Sequence, residues 1–342
     1  LPLTKFTDKG KPAVDKDALE DLEGDPVADL ILANRKLTKL ISTYARALPT
    51  KVNALTGNVH TDFKDTRTVT ARYSSADPNL QNIPTRTKEG AMLRGVFVAE
   101  PGHLLTVADY SQIEYRILAH VCEDPFLLEA FRSGFDLHAA MAAAVRGGHW
   151  TDYNNKKDPE RYSIRTSFKN VNFAVIYGAG TPKIAKMCGI ELDAAYDLLA
   201  QHREMAPQVY YWKDEVISYA RENGHIKTLF GRRIYLPDIL SRDGEKRGHA
   251  ERLAVNASIQ GGAADLMRLA VTKVNKAMKQ FASTTLRLTV HDELVTQTLA
   301  DFAETVAAKK KYVMEHAADE FVEWRVPIIA ETGIGRSWKE AK

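Results

Sequence analysis

The chain has 342 residues, 44% of them hydrophobic and 27% charged, with a net charge of +3. That suits an ordinary soluble globular protein of two or three domains, and so mild a positive charge says little about nucleic acid unless its placement does. Cys122 and Cys188 are the only cysteines, which excludes a disulfide framework or a Cys-based zinc site, and no apolar run approaches the roughly 20 residues of a membrane span. A reducing compartment is expected. The sequence opens Leu-Pro-Leu, without Met or a signal peptide, and reads as a fragment whose N-terminal part has been removed.

Residues 1–26 are polar and broken by Gly10, Pro12, Gly24 and Pro26, with a short helix expected from about Asp15 to Leu22. Residues 27–48 carry apolar side chains at helical spacing (Val27, Leu30, Ile31, Leu37, Leu40, Ile41, Tyr44), and Pro49 should stop that helix. Gly57-Asn58 marks a turn between short strands. The stretch TVTARYSSADPNLQNIP, 68–84, cannot be a long helix because of Pro78 and Pro84, and reads as a surface loop rich in hydrogen-bonding groups. Leu104 to Ala108 is an apolar strand ending at Asp109, and Ser111 with Glu114 resembles a capping box opening the next helix. Residues 111–145 are mostly helical, Gly147-Gly148 breaks them, and 149–160 is a polar insertion of no derivable function. A strong helix over 161–177 ends at Gly178 and Gly180. Pro182 to Arg221 is helical apart from Pro207, and a hairpin is expected from Ile226–Leu229 and Ile234–Leu236. Residues 240–249 read as a charged loop, and Leu253 to Gln280 as a long helix. Strands over 285–290 and 293–298 flank His291-Asp292, a helix covers 302–320, and a last strand covers Pro327–Thr332. There is no internal repeat.

Three constellations could carry chemistry. Asp109 ends an apolar strand, and a carboxylate there needs a cation, an Arg or a helix N-terminus. Asp292 sits at a tight turn with Glu293 beside it. Turn aspartates are often structural, but two carboxylates from distant strands can also bind Mg²⁺ ions that hold substrate phosphates. Arg165, Lys169, Phe173 and Tyr177 recur at intervals of four, so they form one slowly spiralling helical stripe. Cations at one end and rings at the other would suit a nucleotide, and equally an amphipathic helix with a solvated end. Arg252, Asn256 and Gln260 repeat that spacing, either as a solvent face or as a reader of the minor groove.

Together these pieces resemble the polymerase portion of family A DNA polymerases, the bacterial DNA polymerase I and phage-type group. The matching stretches are TARYSSADPNLQNIP at 70–84, DYSQIEYR at 109–116, RTSFKNVNFAVIYG at 165–178, NASIQGGAAD at 256–265 and VHDE at 290–293, with the ending VPIIAETGIGRSW. Their order and spacing make the resemblance specific, from about residue 1 to 341. It implies a mixed α/β (α+β) right hand with an antiparallel palm sheet, helical fingers and a partial helical thumb. The expected division is a partial thumb and its connection at 1–56, palm at 57–122 and 256–342, and fingers at 123–255.

The resemblance implies template-directed addition of dNTPs to a primer 3′-hydroxyl, with release of pyrophosphate. Asp109 and Asp292 become ligands of two Mg²⁺ ions, with Mn²⁺ able to substitute, and the Tyr110 carbonyl assists. Glu293 is an accessory acid near the metals. His138, Arg165 and Lys169 become triphosphate contacts, Lys169 also a proton donor to the leaving group. Phe173 packs on the sugar, Tyr177 stacks near the templating position, and Glu114 is a steric gate against a 2′-hydroxyl, lined by Gln112. Arg72, Asn82, Arg252, Asn256, Gln260 and His291 are DNA contacts. The partners implied are primer–template DNA and dNTPs, acting on a monomer in the cytoplasm of a bacterial or phage-infected cell, or in an organelle. Upstream thumb and exonuclease segments are expected to be missing, hence no proofreading and a weak grip on DNA.

The sequence departs from the family pattern at four places. Tyr115 replaces the usual Leu after the gate, Thr166 a common second Arg, Ala174 a usual Gly, and Ala71 the usual Gly before Arg72. Phe173, where some relatives have Tyr, implies discrimination against dideoxynucleotides. Two other readings keep the same residues: a catalytically silent nucleic-acid-binding module, and a metal-dependent nuclease. Intact Asp109, Asp292, Arg165 and Lys169 argue against the first, and the stripe on 165–177 has no use in the second.

Overall fold

The computed structural model describes residues 5–7, 9–22, 24–84 and 87–342, and the chain falls into two compact units. The smaller takes residues 1–64, 75–98 and 337–339, the larger 65–74, 99–336 and 340–342. No helix among the described residues is long and apolar enough to cross a membrane.

In the smaller unit, Asp15 caps α1 (Lys16–Glu20) by accepting the Ala18 N–H. Asp25 does the same for α2 (Pro26–Leu40), taking the Val27 and Ala28 N–H groups at 2.8 and 3.1 Å. The helical run then loosens into a π-turn at 41–45 before α3 (Ala47–Thr50). Pro49 lies inside that last turn instead of ending the run, because first-turn N–H groups have no helical partner to lose. β1 (Asp62–Lys64) pairs with β2 (Ser74–Ala76). The 68–84 stretch is not a plain surface loop: Ser75, Leu80, Gln81 and Ile83 are buried, and the Tyr44 hydroxyl donates to the Asn82 carbonyl at 2.7 Å. Thr87 caps α4 (Lys88–Gly95), whose Arg94 guanidinium stands 3.9 Å from the centre of the buried Trp338 ring.

The larger unit is organised on β3 (His103–Tyr110), the expected apolar strand. The capping box is not made. The residue preceding α5 (Ile113–Cys122) is Gln112, in left-handed conformation and without a side-chain cap bond. Ser111 donates to Glu331 instead, and Glu114 turns to Arg72 and Tyr177, so charged tertiary partners outcompete a local cap. Asp124 and Asp136 each start a new helix, so 111–145 continues as α6 (Pro125–Arg132) and α7 (Leu137–Arg146). The polar insertion holds α8 (Trp150–Tyr153) and the start of α9 (Pro159–Ile176). Gly189 as well as Pro207 divides the next region, giving α10 (Thr181–Cys188), α11 (Leu192–Met205) and α12 (Pro207–Asn223).

The hairpin of β4 (His225–Lys227) and β5 (Arg233–Tyr235) forms as expected. α13 (Gly244–Met278) starts well before Leu253, because Asp243 accepts the Glu245 and Lys246 N–H groups, and part of the charged loop is its solvated first turns. β6 (Thr285–Val290) and β7 (Glu293–Leu299) flank the expected tight turn. α14 (Ala303–Glu315) stops short of residue 320. The last strand, β8 (Ala330–Gly335), begins later than expected, since the Pro327 carbonyl is taken by Arg116 at 2.5 Å. The antiparallel sheet runs β6-β7-β3-β8. Behind it α14 buries Lys310 completely, its Nζ within 2.5–3.3 Å of the Thr106 and Leu294 carbonyls and the Thr106 and Thr296 hydroxyls.

Candidate active site

The strand register gathers acids. β7 sets Glu293 opposite Asp109, and β8 sets Glu331 opposite it on the other side. Directly opposed residues share a face of the sheet, so three carboxylates stand in a row. Asp292 adds a fourth from the β6–β7 turn, which His291 enters with φ 52°. The Asp292 carbonyl accepts the Tyr110 N–H at 3.1 Å, fastening the turn to the end of β3. Like charges so close are unfavourable without cations.

Among the described residues, Lys342 and Arg72 make ion pairs with these acids. Lys342 bridges Asp109 Oδ2, at 3.0 Å, and Glu293 Oε2. It reaches them because Gly333 and Gly335 are bare: a Cβ on either would overlap the 340–341 backbone or the Glu340 side chain, pushing the tail off the sheet. Arg72 donates to Glu114 Oε1 at 2.5 Å and lies 3.9 Å from Asp292 Oδ1. Burial pushes the Asp292 carboxyl up to about 6; Arg72 opposes the rise, and Glu114 and Asp109 add to it. Burial works against the Lys342 charge, but Glu293 and Asp109 hold its pKa above the usual lysine value.

Among the described residues no three His, Cys, Asp or Glu side chains are grouped to hold a metal by themselves. Mg²⁺ does not require it, since one or two carboxylates plus substrate phosphates and waters suffice. The residues fit such an ion: they are hard oxygen donors with surplus negative charge, and an ammonium is already drawn between two of them.

The steric-gate candidate lies in the same network. Glu114 is 8% exposed, and its Oε2 accepts the Tyr177 hydroxyl at 2.7 Å, which Gln260 also engages. Phe173 stacks on Tyr177 with centroids 6.0 Å apart. Tyr115 meets Phe173 at 5.1 Å and His138 at 5.5 Å, both edge-on, with its own hydroxyl buried and unpartnered among the described residues. The α9 stripe is therefore half absorbed into packing. Arg165 forks onto Asp136, the α7 cap, at 3.0 and 2.5 Å, so its charge is already balanced. Burial pushes His138 down to about 4; Asp136 opposes this, and Arg165 and Lys169 reinforce it.

The structure thus connects Arg72, Asp109, Tyr110, Glu114, Tyr177, Gln260, Asp292 and Glu293, with Phe173 and His138 joined through Tyr115. The other candidates stand differently. Gln112, at φ 51°, and Asn256 each keep a buried side-chain oxygen without a partner among the described residues. Arg252 packs over Gly178, His291 is exposed at its turn, and Asn82 belongs to the smaller unit.

Sequence reasoning missed Lys342, Glu331, Asp136 and Arg268. Asp136 had a signal, as an N-cap before an apolar run; the others had none. Arg268 matters because its Nε and Nη2 hold the Ala71 carbonyl at 3.1 and 2.8 Å, next to Arg72. Ala71 adopts φ 59°, the region that disfavours any Cβ. Ala71→Gly is expected to raise stability by about 0.5–1 kcal/mol in urea denaturation, and a loss would contradict that strain.

A family model described as DNA polymerase family A matches residues 1–340. The chain belongs to DNA polymerase family A. A DNA polymerase I described as thermostable, from Thermus filiformis, is 42% identical over 344 residues, covering 100% of this chain and 40% of the relative. The DNA polymerase I of Pseudomonas aeruginosa is 40% identical over 344 residues, covering 100% of this chain and 36% of the relative. A solved structure, the POL domain of Pol1 from M. smegmatis in complex with DNA primer-template and dNTP, superposes with a TM-score of 0.90 at 34% identity. That match covers 100% of this family A chain and 59% of the other. The chain therefore spans about two fifths of the length of the curated relatives it matches. The mixed α/β fold with an antiparallel sheet is that of a family A polymerase domain.

Proposed function

We propose that this chain is the catalytic core of a template-directed DNA polymerase that joins dNTPs to a primer 3′-hydroxyl and releases pyrophosphate. The observation that carries this reading is the placement of Asp109 and Asp292 at the joined ends of β3 and the β6–β7 turn, in one network with Glu114 and Tyr177. The solved relative bound to primer-template and dNTP supports the choice of substrates.

Asp109, Asp292 and the Tyr110 carbonyl would hold two Mg²⁺ ions, with Glu293 as an accessory. When bound, such ions supply charge stabilisation at the attacking and leaving oxygens. The chain's own residues do the positioning. Lys169, with Arg165 once Asp136 shares it, would neutralise the triphosphate, and His138 would donate a hydrogen bond to it. Lys169 is the proposed proton donor to pyrophosphate. Phe173 would pack on the sugar, and Glu114, held from both sides by Arg72 and Tyr177, would occupy the space of a 2′-hydroxyl. A gate so braced excludes ribonucleotides by shape. Arg72, Asn82, Arg252, Asn256, Gln260 and His291 are the proposed DNA contacts, and the unmet Asn256 oxygen is suited to a donor on a base edge. In this reading residues 57–122 and 256–342 are the palm, 123–255 the fingers, and 1–56 a partial thumb with its connection to the palm.

Primer extension with Mg²⁺ and dNTPs separates the alternatives. Addition is expected; no reaction would favour a silent binding module, and degradation a nuclease. Because Phe173 offers no hydroxyl to replace a missing 3′-hydroxyl, dideoxynucleotides are expected to enter at least about tenfold less readily than deoxynucleotides. Equal incorporation in a competition assay would sink that expectation.

A further inference from the structure

Four buried or half-buried polar side chains cross the helices behind the nucleotide stripe, and three of them, Asn172, His202 and Tyr210, have no place in the mechanism above. His138 on α7 meets Asn172 on α9, with Nδ1 2.8 Å from Nδ2. Asn172 Oδ1 lies 2.9 Å from His202 Nε2 on α11. His202 Nδ1 lies 3.0 Å from the Tyr210 hydroxyl on α12. His138, Asn172 and His202 are 3, 2 and 3% exposed, amid an apolar cluster that includes Phe168, Val171 and Val175. An amide and two imidazoles so placed are costly unless each bond is made with the right donor.

The chain of bonds can run in only two senses, and both rings follow it together. With the amide as it stands, Tyr210 O–H donates to His202 Nδ1, His202 Nε2–H donates to Asn172 Oδ1, and Asn172 Nδ2–H donates to His138 Nδ1. His138 then carries its proton on Nε2, which makes no hydrogen bond among the described residues. In the opposite sense the amide is inverted and both imidazoles are protonated on Nδ1. The Tyr210 O–H would then have no acceptor among the described residues. A phenol beside an imidazole is the better donor of the two, which favours the first sense.

We propose that Tyr210 and His202, acting through Asn172, are positioning residues that fix His138 as its Nε2–H tautomer, so that it meets a nucleotide triphosphate oxygen as a neutral donor. The inference rests on the reading of His138 as a triphosphate contact. Burial keeps both imidazoles neutral, each at about 4, so the tautomer and not the charge is what the relay sets.

The test is nitrogen NMR of the nucleotide-free protein labelled with ¹⁵N-histidine, compared with Tyr210→Phe and Asn172→Asp. Wild-type His138 and His202 are both expected to be protonated on Nε2. Asn172→Asp, whose carboxylate can only accept, should move the His138 proton to Nδ1 while His202 keeps Nε2–H. Tyr210→Phe, which deletes one hydroxyl and leaves the packing, should raise KM for dNTP about threefold to tenfold with kcat little changed. Nδ1–H on wild-type His138 overturns the relay whatever the enzyme does. The expected tautomers with an unchanged KM in both variants would overturn the link to the triphosphate and leave polymerisation itself intact. Loss of primer extension by the wild-type chain would instead defeat the parent reading.

Discussion

Asp292→Asn is expected to bind primer–template within about threefold of the wild-type chain and to extend it at least about 1,000-fold more slowly. The amide keeps the size of the side chain, and the backbone bond from Tyr110 to the residue 292 carbonyl is untouched, so the turn should stay in place. What is lost is one formal charge where β3 and the turn meet. Gel-shift and single-turnover extension measure the two halves separately. Extension near the wild-type rate would refute the metal role of Asp292. The same substitution should stabilise the metal-free protein at pH 7.5. The folded carboxyl titrates at about 6, above its ordinary 3.8, so the folded chain holds that proton more tightly than the unfolded one. Ionisation therefore costs stability as pH rises from about 4 through 6, and the cost is complete above that. Asn escapes it, by about 1–3 kcal/mol at pH 7.5 and by nothing once both states are protonated below pH 4. Urea denaturation in EDTA at the two pH values measures the difference, and a less stable variant at pH 7.5 would contradict the crowding of acids.

Lys310→Ala is expected to cost about 3–5 kcal/mol, while Lys310→Met should cost about 1 kcal/mol. The ammonium is fully buried behind β3 and β7, and burial pushes its pKa well below the usual lysine value despite Glu293. Alanine removes the stem and the donors together, leaving a cavity under two carbonyls and two threonine hydroxyls. Methionine fills the space, and the Thr106 and Thr296 hydroxyls, 3.0 Å apart, can satisfy each other. Denaturant midpoints of the two variants give the comparison. Equal losses would mean that the hydrogen bonds, not the packing, dominate. Because these threonines lie on the strands that carry Asp109 and Glu293, the alanine variant should also loosen the acid row.

Much of the molecule follows from local sequence alone. The apolar strand ending at Asp109, the hairpin around Asp292 and the long α9 are each fixed by a run of similar side chains and a clear stop, which need no distant partner. The Asp-capped helix starts at 25, 124, 136, 158 and 243 are likewise local, although the charge around Asp243 masked its helix. Ser111 and Glu114 mark the limit of such reasoning: a valid local cap lost to Arg72 and Tyr177, groups distant in sequence. Only tertiary structure set Asp109 opposite Glu293 and Glu331, because register belongs to strand pairing and cannot be seen in one strand. Only the fold brought Lys342 to that row and Arg268 to the strained Ala71, since a single long cation leaves no periodic trace. The chain dictates its elements because their hydrogen bonds are short-range; the balance of charge at the site is decided across space, where desolvation and pairing compete.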